Sequence, residues 1–527
     1  MLPLAKKRKI ADSEEEHEEN ALKENITTLV SLSRPVTPPW TTRDRRPPKH
    51  NHINHTDHAR HNIDSIRSRK PNDEIKPSIT EGQPHIIRSP IQLTHIRDLS
   101  ADKNIDTVQL HDILGDPMIR ECWQFNYCFD VDFVMSQFDH DVKDHVQVKI
   151  VHGSVIIHTA NMLAGDWANM SQAVWRSPLL PVSTTRDDSE SEQATLFGTG
   201  ARFKRDLLAY LGFYGRRKTG SLVDQLRKFD FQAVRAALIA SVPSKERLSR
   251  ADSSMSTLWG WPALKDALRQ VPLRDSEKSK CPHVVVQISS IASLGQTDKW
   301  LKDVLFDSLC PSTNLPHTNK TQRPKYSIIF PTSDEIRRSL NGYGSGGSIH
   351  MKLQSVTQQK QLQYMRPYLC HWAGGRSNAE GHVNQRTDAG RRRAAPHIKT
   401  YIRFSDRSNM DTIDWAMISS ANLSTQAWGA APNSNGEVRI CSWEIGVLIW
   451  PQLIVGDSLR TDSERPQMVP CFRKDTPYPM KTEDDTPVVG FRMPYDLPLT
   501  PYRVQDVPWC ATINHPEPDW LGQSWEA

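Results

Sequence analysis

The sequence predicts an α/β protein in two globular halves behind an unstructured tail. Three observations predict it: composition changes near residue 88, strand-length apolar runs then alternate with amphipathic helical stretches, and the two halves of that remainder echo each other. At 527 residues the chain is too long for one compact domain of ordinary size. Its 66 Lys and Arg against 61 Asp and Glu leave a net charge of +5, too mild for a protein that coats nucleic acid along its whole surface. Any nucleic-acid site must be local. The eight cysteines, at 122, 128, 281, 310, 370, 441, 471 and 510, form no C-x-x-C pair and no regular spacing, which suits a reducing compartment better than a disulfide framework or zinc cluster. No run reaches the ~18 apolar residues of a membrane span, and charged residues stand where a signal peptide would have its apolar core. The expectation is a soluble intracellular protein with no membrane partner.

Residues 1–88 contain one aromatic residue, Trp40, with an acidic run at Glu14–Glu19 and a Pro, Arg, His and Asn-rich stretch from Pro38 to Arg60. Such a segment buries too little apolar surface to offset its ordering entropy, so it is expected to be disordered. Lys6-Lys7-Arg8-Lys9 is a basic run of the kind read by nuclear import receptors, and nuclear location is the expectation. His50, His52, His55, His58 and His61 are dense but lack Cys or acidic partners, so they predict adventitious metal affinity, not a metal site.

Residues 89–242 form the expected first half and 243–527 the second, with the Ser, Lys and Arg-rich stretch Ser241–Ser256 as the boundary. Val146–Val151, Val155–Ile157, Val284–Ile288, Ser327–Phe330, Ile398–Phe404 and Val447–Trp450 read as short buried strands. Phe203, Leu207, Leu208 and Leu211 share a helix face, and Leu222, Val223, Leu226 and Phe229 follow a capping Ser221 with Asp224.

The echo carries the chemistry. Ile157-His158-Thr159-Ala160-Asn161-Met162-Leu163 matches Ile418-Ser419-Ser420-Ala421-Asn422-Leu423-Ser424: each is an apolar strand ending in Ala-Asn, and each precedes a tryptophan, Trp167 or Trp428. Before the second copy stands Pro396-His397-Ile398-Lys399-Thr400-Tyr401. On a strand His397, Lys399 and Tyr401 share a face, so an imidazole is set beside an ammonium. That pairing suits phosphoryl chemistry, because imidazole attacks phosphorus or moves a proton near neutral pH while Lys and Asn hold phosphate oxygens. A solvent-facing edge strand would show the same alternation. A second H-x-K, His350-Met351-Lys352, follows the glycine turn at Gly344–Ser348 without an Ala-Asn strand behind it and is read as coincidence.

The flanking words are more specific than the motif: Phe125-Asn126-Tyr127-Cys128-Phe129-Asp130, Trp175-Arg176-Ser177-Pro178, Gly346-Gly347-Ser348, Ala427-Trp428-Gly429 and Pro494-Tyr495-Asp496-Leu497-Pro498. With the two Asn segments they resemble the tyrosyl-DNA phosphodiesterase family of the phospholipase D superfamily, from about Ile86 to Trp509. The resemblance implies two pseudo-symmetric α/β sandwich halves, each contributing one H-x-K to a shared site. It implies a DNA-repair hydrolase of the nuclease and exonuclease kind, a monomer without cofactor or metal. The implied substrate is a single- or double-stranded DNA 3′ end joined to a tyrosine of topoisomerase I. In that scheme the first-half histidine attacks phosphorus to give a phosphohistidine, and the second-half histidine protonates the tyrosine and then activates water. Carried onto this chain, His397 is the proton donor and acceptor, and Lys399, Asn161 and Asn422 hold phosphate oxygens, Lys399 as a substrate-binding group. Gln172 lies near the attacking water. Asp166 and Glu444 orient the two histidines, in either assignment. Ser290, Ile291, Ala292, Ser293, Ser348 and Ser424 match DNA-backbone contacts.

One departure decides how the site works. His397 lies 25 residues before Asn422, and the equivalent position before Asn161 reads Ser136-Gln137-Phe138. His140, His145, His152 and His158 are followed two residues later by Val142, Gln147, Ser154 and Ala160, so the first half has no H-x-K. The missing segment falls near residues 154 and 155. Without that nucleophile activity is expected to drop by orders of magnitude. A gene model or splice form lacking an exon, a catalytically dead DNA-end binder, and a pairing of two chains that brings two His397 sites together remain open readings. Arg386 and Arg391-Arg392-Arg393 form a basic cluster that reads equally as a phosphate contact or a solvated loop.

Overall fold

Three valines inside His283–Gln287 form a strand buried on both faces, and a strand with no polar face must sit in the middle of a sheet. In the computed structural model it does. The described residues are 85–139, 152–183, 195–250, 252, 254, 256–273, 281–311, 324–374, 386–455, 466–478 and 486–527. The expected disorder of the tail and the strand Val146–Val151 lie outside them, apart from the tail's last residues. Of the two units of the chain, Ile79–Ala527 holds all the elements below.

His283–Gln287 pairs in parallel with Lys325–Ile329, which pairs in parallel with Leu369–Cys370. On its other side it runs antiparallel to Thr400–Phe404, which runs antiparallel to Ile413–Ser419. Ile413 then contacts the strand Gln467–Cys471, while Ala416–Ser419 pair with the strand Glu444–Ile449. Val488–Arg492 and Ile86–Ile87 complete that edge in parallel. The sheet has ten strands.

The mixed α/β class is as the sequence predicts, but the division of strands is not even. Ala237–Ser241, buried along its whole length, pairs antiparallel with Glu444–Ile449 and so enters the large sheet across the boundary expected at 242/243. Ser244–Arg247, inside the expected boundary stretch, pairs with Glu437–Ile440. What remains to the first half is a three-stranded antiparallel sheet of Ile91–Leu93, Ala173–Arg176 and Ile156–His158, with a two-stranded antiparallel pair of His152–Gly153 and Leu180–Pro181. A small core of Val108, Leu110, Ile113, Leu114, Val134, Met162 and Trp167 lies against it. Nearby chain leaves Met118, Phe125, Tyr127, Phe129 and Val131 exposed.

The helix Gly200–Phe213 buries Phe203, Leu207 and Leu211 as its periodicity predicts. The next helix is corrected: it spans Arg216–Leu226, with Ser221 inside it and Gly215 at its N-cap. Gly215 has φ +90°, which breaks the preceding helix and is open to glycine without strain. The first turn, Arg216–Thr219, is polar apart from the buried Thr219, so no apolar period reveals it.

Gly342–Ser348 forms a tight 3₁₀ segment whose carbonyl at Gly346 accepts from Trp509 Nε1 at 3.0 Å. A Cβ on Gly346 would stand 2.2 Å from the buried Trp509 ring. Gly346→Ala is therefore expected to destabilise the fold by about 1–3 kcal/mol through overpacking, read as a lower denaturant midpoint at unchanged slope.

Candidate active site

The site is built where the first half lays one backbone segment across the second. Ser171 N–H donates to the Ala395 carbonyl at 2.9 Å, and the His397 and Ile398 amides donate back to the Ser171 carbonyl at 3.2 and 2.8 Å. This places Gln172 beside His397, just before the strand Thr400–Phe404 begins.

Gln172 is wholly buried and its amide orientation follows from its partners. Thr159 Oγ1 accepts from the Ala173 amide at 3.0 Å, so its own proton goes to Gln172 Oε1 at 2.7 Å. Gln172 Nε2 then faces Asp166 Oδ2 at 3.2 Å and His397 Nδ1 at 2.9 Å. Asp166 Oδ2 stands 3.3 Å from the same Nδ1 and accepts from the Asn161 amide at 2.7 Å. Of the two carboxylates, Asp166 is the one beside His397. The other ring nitrogen, Nε2, lies 3.3 Å from Lys399 Nζ, which also donates to the His397 carbonyl.

Burial dominates the electrostatics. It holds His397 well below the usual imidazole range, with the charges of Lys399 and His350 acting in the same direction. Burial takes Lys399 down to about 8, against the pull of Asp166 and Glu444, and pushes Asp166 upward against its Asn161 hydrogen bond. Glu444 is pushed up to about 7 by burial, opposed by Ser420 and Lys399. Ser420 Oγ donates to Glu444 Oε2 at 2.5 Å, and no imidazole is bonded to Glu444 among the described residues.

Asn422 is the other pole. Its Oδ1 accepts from the amides of Ser289 and Ser290, at 3.1 and 2.9 Å, and from Ser289 Oγ at 3.2 Å. Three donors on the oxygen leave the NH₂ group to donate elsewhere. The loop is held from behind, because Tyr401 donates to the Ala421 carbonyl at 2.9 Å, and Trp428 donates to Tyr401.

Ser290, Ile291 and Ala292 run beside this loop, with Leu423 N–H on the Ser290 carbonyl and Ala292 N–H on the Leu423 carbonyl. Ser293 is exposed and Ser348 half-buried. Ser424 Oγ accepts from the Ala427 amide, so it caps the short helix Thr425–Trp428. The H-x-K read as coincidence lies close by: His350–Met351 pairs in parallel with Ser290–Ile291, whose Ser290 amide holds Asn422. Its sequence signal was the H-x-K itself. Ser289 had no such signal. The arginine cluster is only partly taken up by the fold: Arg386, over the Tyr478 ring, and Arg393 are exposed. Arg391 is buried on the Thr94 carbonyl, Arg392 pairs with Asp496 at 2.5 Å, and Arg393 lies over the Trp520 ring. His158 packs against Trp167, its ring centroid 5.3 Å away, and burial takes it down to about 4.

A family model described as tyrosyl-DNA phosphodiesterase matches residues 90–155 and 154–503, two segments that meet at 154–155. The chain is 28% identical to a probable tyrosyl-DNA phosphodiesterase of Schizosaccharomyces pombe, over 84% of this chain and 96% of the relative. It is 32% identical to tyrosyl-DNA phosphodiesterase 1 of Drosophila melanogaster over 67% of this chain and 54% of that protein. It is 29% identical to the Arabidopsis thaliana protein of the same name over 70% and 58%. The crystal structure of yeast tyrosyl-DNA phosphodiesterase superposes with a TM-score of 0.54 at 18% identity, covering 80% of this chain and 99% of that one. At that identity the likeness is one of fold.

The raised carboxyl of Glu444 has a stability consequence. Its folded value of about 7 exceeds the ordinary 4.5, so the native state holds its proton longer than the unfolded chain. The contribution is complete below the ordinary value and lost as pH rises through 7. Between about pH 5 and about pH 8, wild type is expected to lose more denaturant resistance than Glu444→Gln, measured as midpoints at both pH values.

Proposed function

Because this chain belongs to the tyrosyl-DNA phosphodiesterase family, a family of hydrolases, we propose that its site takes the 3′ end of DNA carrying a tyrosyl adduct and hydrolyses the phosphotyrosyl bond. The observation that carries the reading is the fixed constellation of His397, Lys399 and Asn422, with Asp166 and Gln172 reaching His397 from the other half. Lys399 and the free amide of Asn422 would hold the scissile phosphate, and His397 Nε2 would exchange a proton with the tyrosyl oxygen or with water. Asn161 would complete the cradle. The substrate assigned is the adduct of a stalled topoisomerase I, the place is the nucleus, and the protein works as a monomer with no metal in the scheme.

The double displacement of the family begins with a first-half histidine, whose attack forms a P–N bond as the P–O bond to tyrosine breaks. This sequence has no first-half H-x-K. Glu444, which would orient that imidazole, has Ser420 in its place. The first displacement therefore lacks its nucleophile. With Nδ1 accepting from Gln172, His397 Nε2 holds the proton it would give to the tyrosyl oxygen as a water attacks phosphorus, the P–O bond to tyrosine breaks and the water's proton passes to solvent without a positioned base. Groups that act as a unit fail together, so turnover should lie several orders of magnitude below that of an intact relative. A DNA-end binder with no turnover is the second reading, favoured by that same carboxylate, which is bonded to Ser420 and to no imidazole among the described residues.

Release of a tyrosyl peptide from a 3′-phosphotyrosyl oligonucleotide separates them. Slow release that is abolished in His397→Ala, with binding retained, supports the impaired hydrolase. Binding without release supports the second reading. Release as fast as that of the fission-yeast relative would overturn the claim that the route lacks its nucleophile.

A further inference from the structure

The H-x-K at His350 is where the fold assembles positive charge that nothing in the described residues neutralises. The strand His350–Met351 leaves the tight segment Gly342–Ser348, buries Met351 and turns His350 outward, with Lys352 two residues on and also exposed. His350 N–H donates to the Ser289 carbonyl at 3.0 Å. Its Cα partner is Ser290, whose own amide holds Asn422 Oδ1. The His350 ring has no hydrogen-bond or ion-pair partner among the described residues. The charged groups that act on it are Lys352 from its own strand and Lys399 from the catalytic segment, and its charge acts in turn on His397. Asp166 and Glu444 act on Lys399, not on His350. An imidazole facing two ammonium groups and another imidazole without a carboxylate is unfavourable until an anion arrives.

We propose that His350, with Lys352, contacts a DNA phosphate: it binds the phosphodiester next to the one held by His397, Lys399 and Asn422. The inference rests on the DNA-end reading of that pocket and extends it. The Ser290–Ile291 strand pairs with His350 on one side and holds Asn422 through the Ser290 amide, so a DNA strand with one phosphate at Asn422 would carry a flanking phosphate across that ribbon towards His350. Burial and the two lysines hold free His350 below the ordinary imidazole range. A bound phosphate reverses the balance, so binding takes up a proton and affinity rises as pH falls between the free and bound values.

The test is equilibrium binding of the full chain to a fluorescent single-stranded oligonucleotide ending in 3′-phosphotyrosine, against pH and salt. Wild type should tighten roughly three- to tenfold from about pH 8 to about pH 6, the range open to uptake of one proton. His350→Ala and His350→Gln should lose most of that change, with unchanged thermal midpoints. His350→Lys should bind at about pH 8 as wild type does at about pH 6, with a pH-independent Kd. His397→Ala should keep the pH dependence. If His350→Ala binds with the Kd and pH profile of wild type, or if His397→Ala alone abolishes the pH dependence, the proposal is overturned while the DNA-end reading stands. If wild type binds no oligonucleotide at either pH, both fall.

Discussion

The site depends on one backbone crossing: Ser171 exchanging hydrogen bonds with Ala395, His397 and Ile398. These are main-chain bonds between residues more than 220 positions apart, so they hold whatever side chains surround them. They bring Gln172 within 2.9 Å of His397 Nδ1. Each bond contributes only about 1 kcal/mol net, but the crossing is buried, and an unpaired buried amide there would cost about 1–3 kcal/mol. The penalty for breaking the crossing, more than the gain from making it, is what locks the register of the two halves.

From that crossing the orientation of the chemistry follows by exclusion. Thr159 spends its lone pair on the Ala173 amide and therefore gives its proton to Gln172, which aims the Gln172 amide nitrogen at the imidazole. Nδ1 is occupied by that donor and flanked by Asp166, which leaves Nε2 as the reactive nitrogen. Ser289 and Ser290 fix Asn422 by the same logic. Both groups that the proposed function assigns to the phosphate are thus oriented by neighbouring residues in the unliganded fold, which is how a site is preorganised before substrate binds.

Much of this was legible in the sequence, because the Ala-Asn strand ends and the His397-x-Lys399 spacing are local patterns and strand geometry converts them directly into faces. The mixed α/β class was legible for the same reason. What was not legible came from pairing between distant segments. Ala237–Ser241 is a uniformly apolar run that either half could have taken, and only Glu444–Ile449 offered it a partner. The arginine triplet looked like a surface patch because nothing local announces that Thr94 and Asp496 will bury or pair it. His350 looked like chance because its link to Asn422 runs through Ser290, 60 positions earlier.

The retained carboxylate and the absent imidazole bear on each other. Setting a carboxyl in a half-buried place such as that of Glu444 is unfavourable unless a cation or hydrogen bonds compensate. Here Ser420 and the charge of Lys399 compensate only in part, which is why the group is pushed up to about 7. A histidine donating to that carboxylate would supply the missing compensation, and the carboxylate would in turn hold the imidazole in the tautomer suited to attack. Asp166 stands 3.3 Å from His397 Nδ1, beside the Gln172 amide that donates to the same nitrogen. On the proposed reading, Glu444 would be one half of a pair whose imidazole the first half does not supply in an H-x-K, and a carboxyl raised to about 7 is what such a half would show.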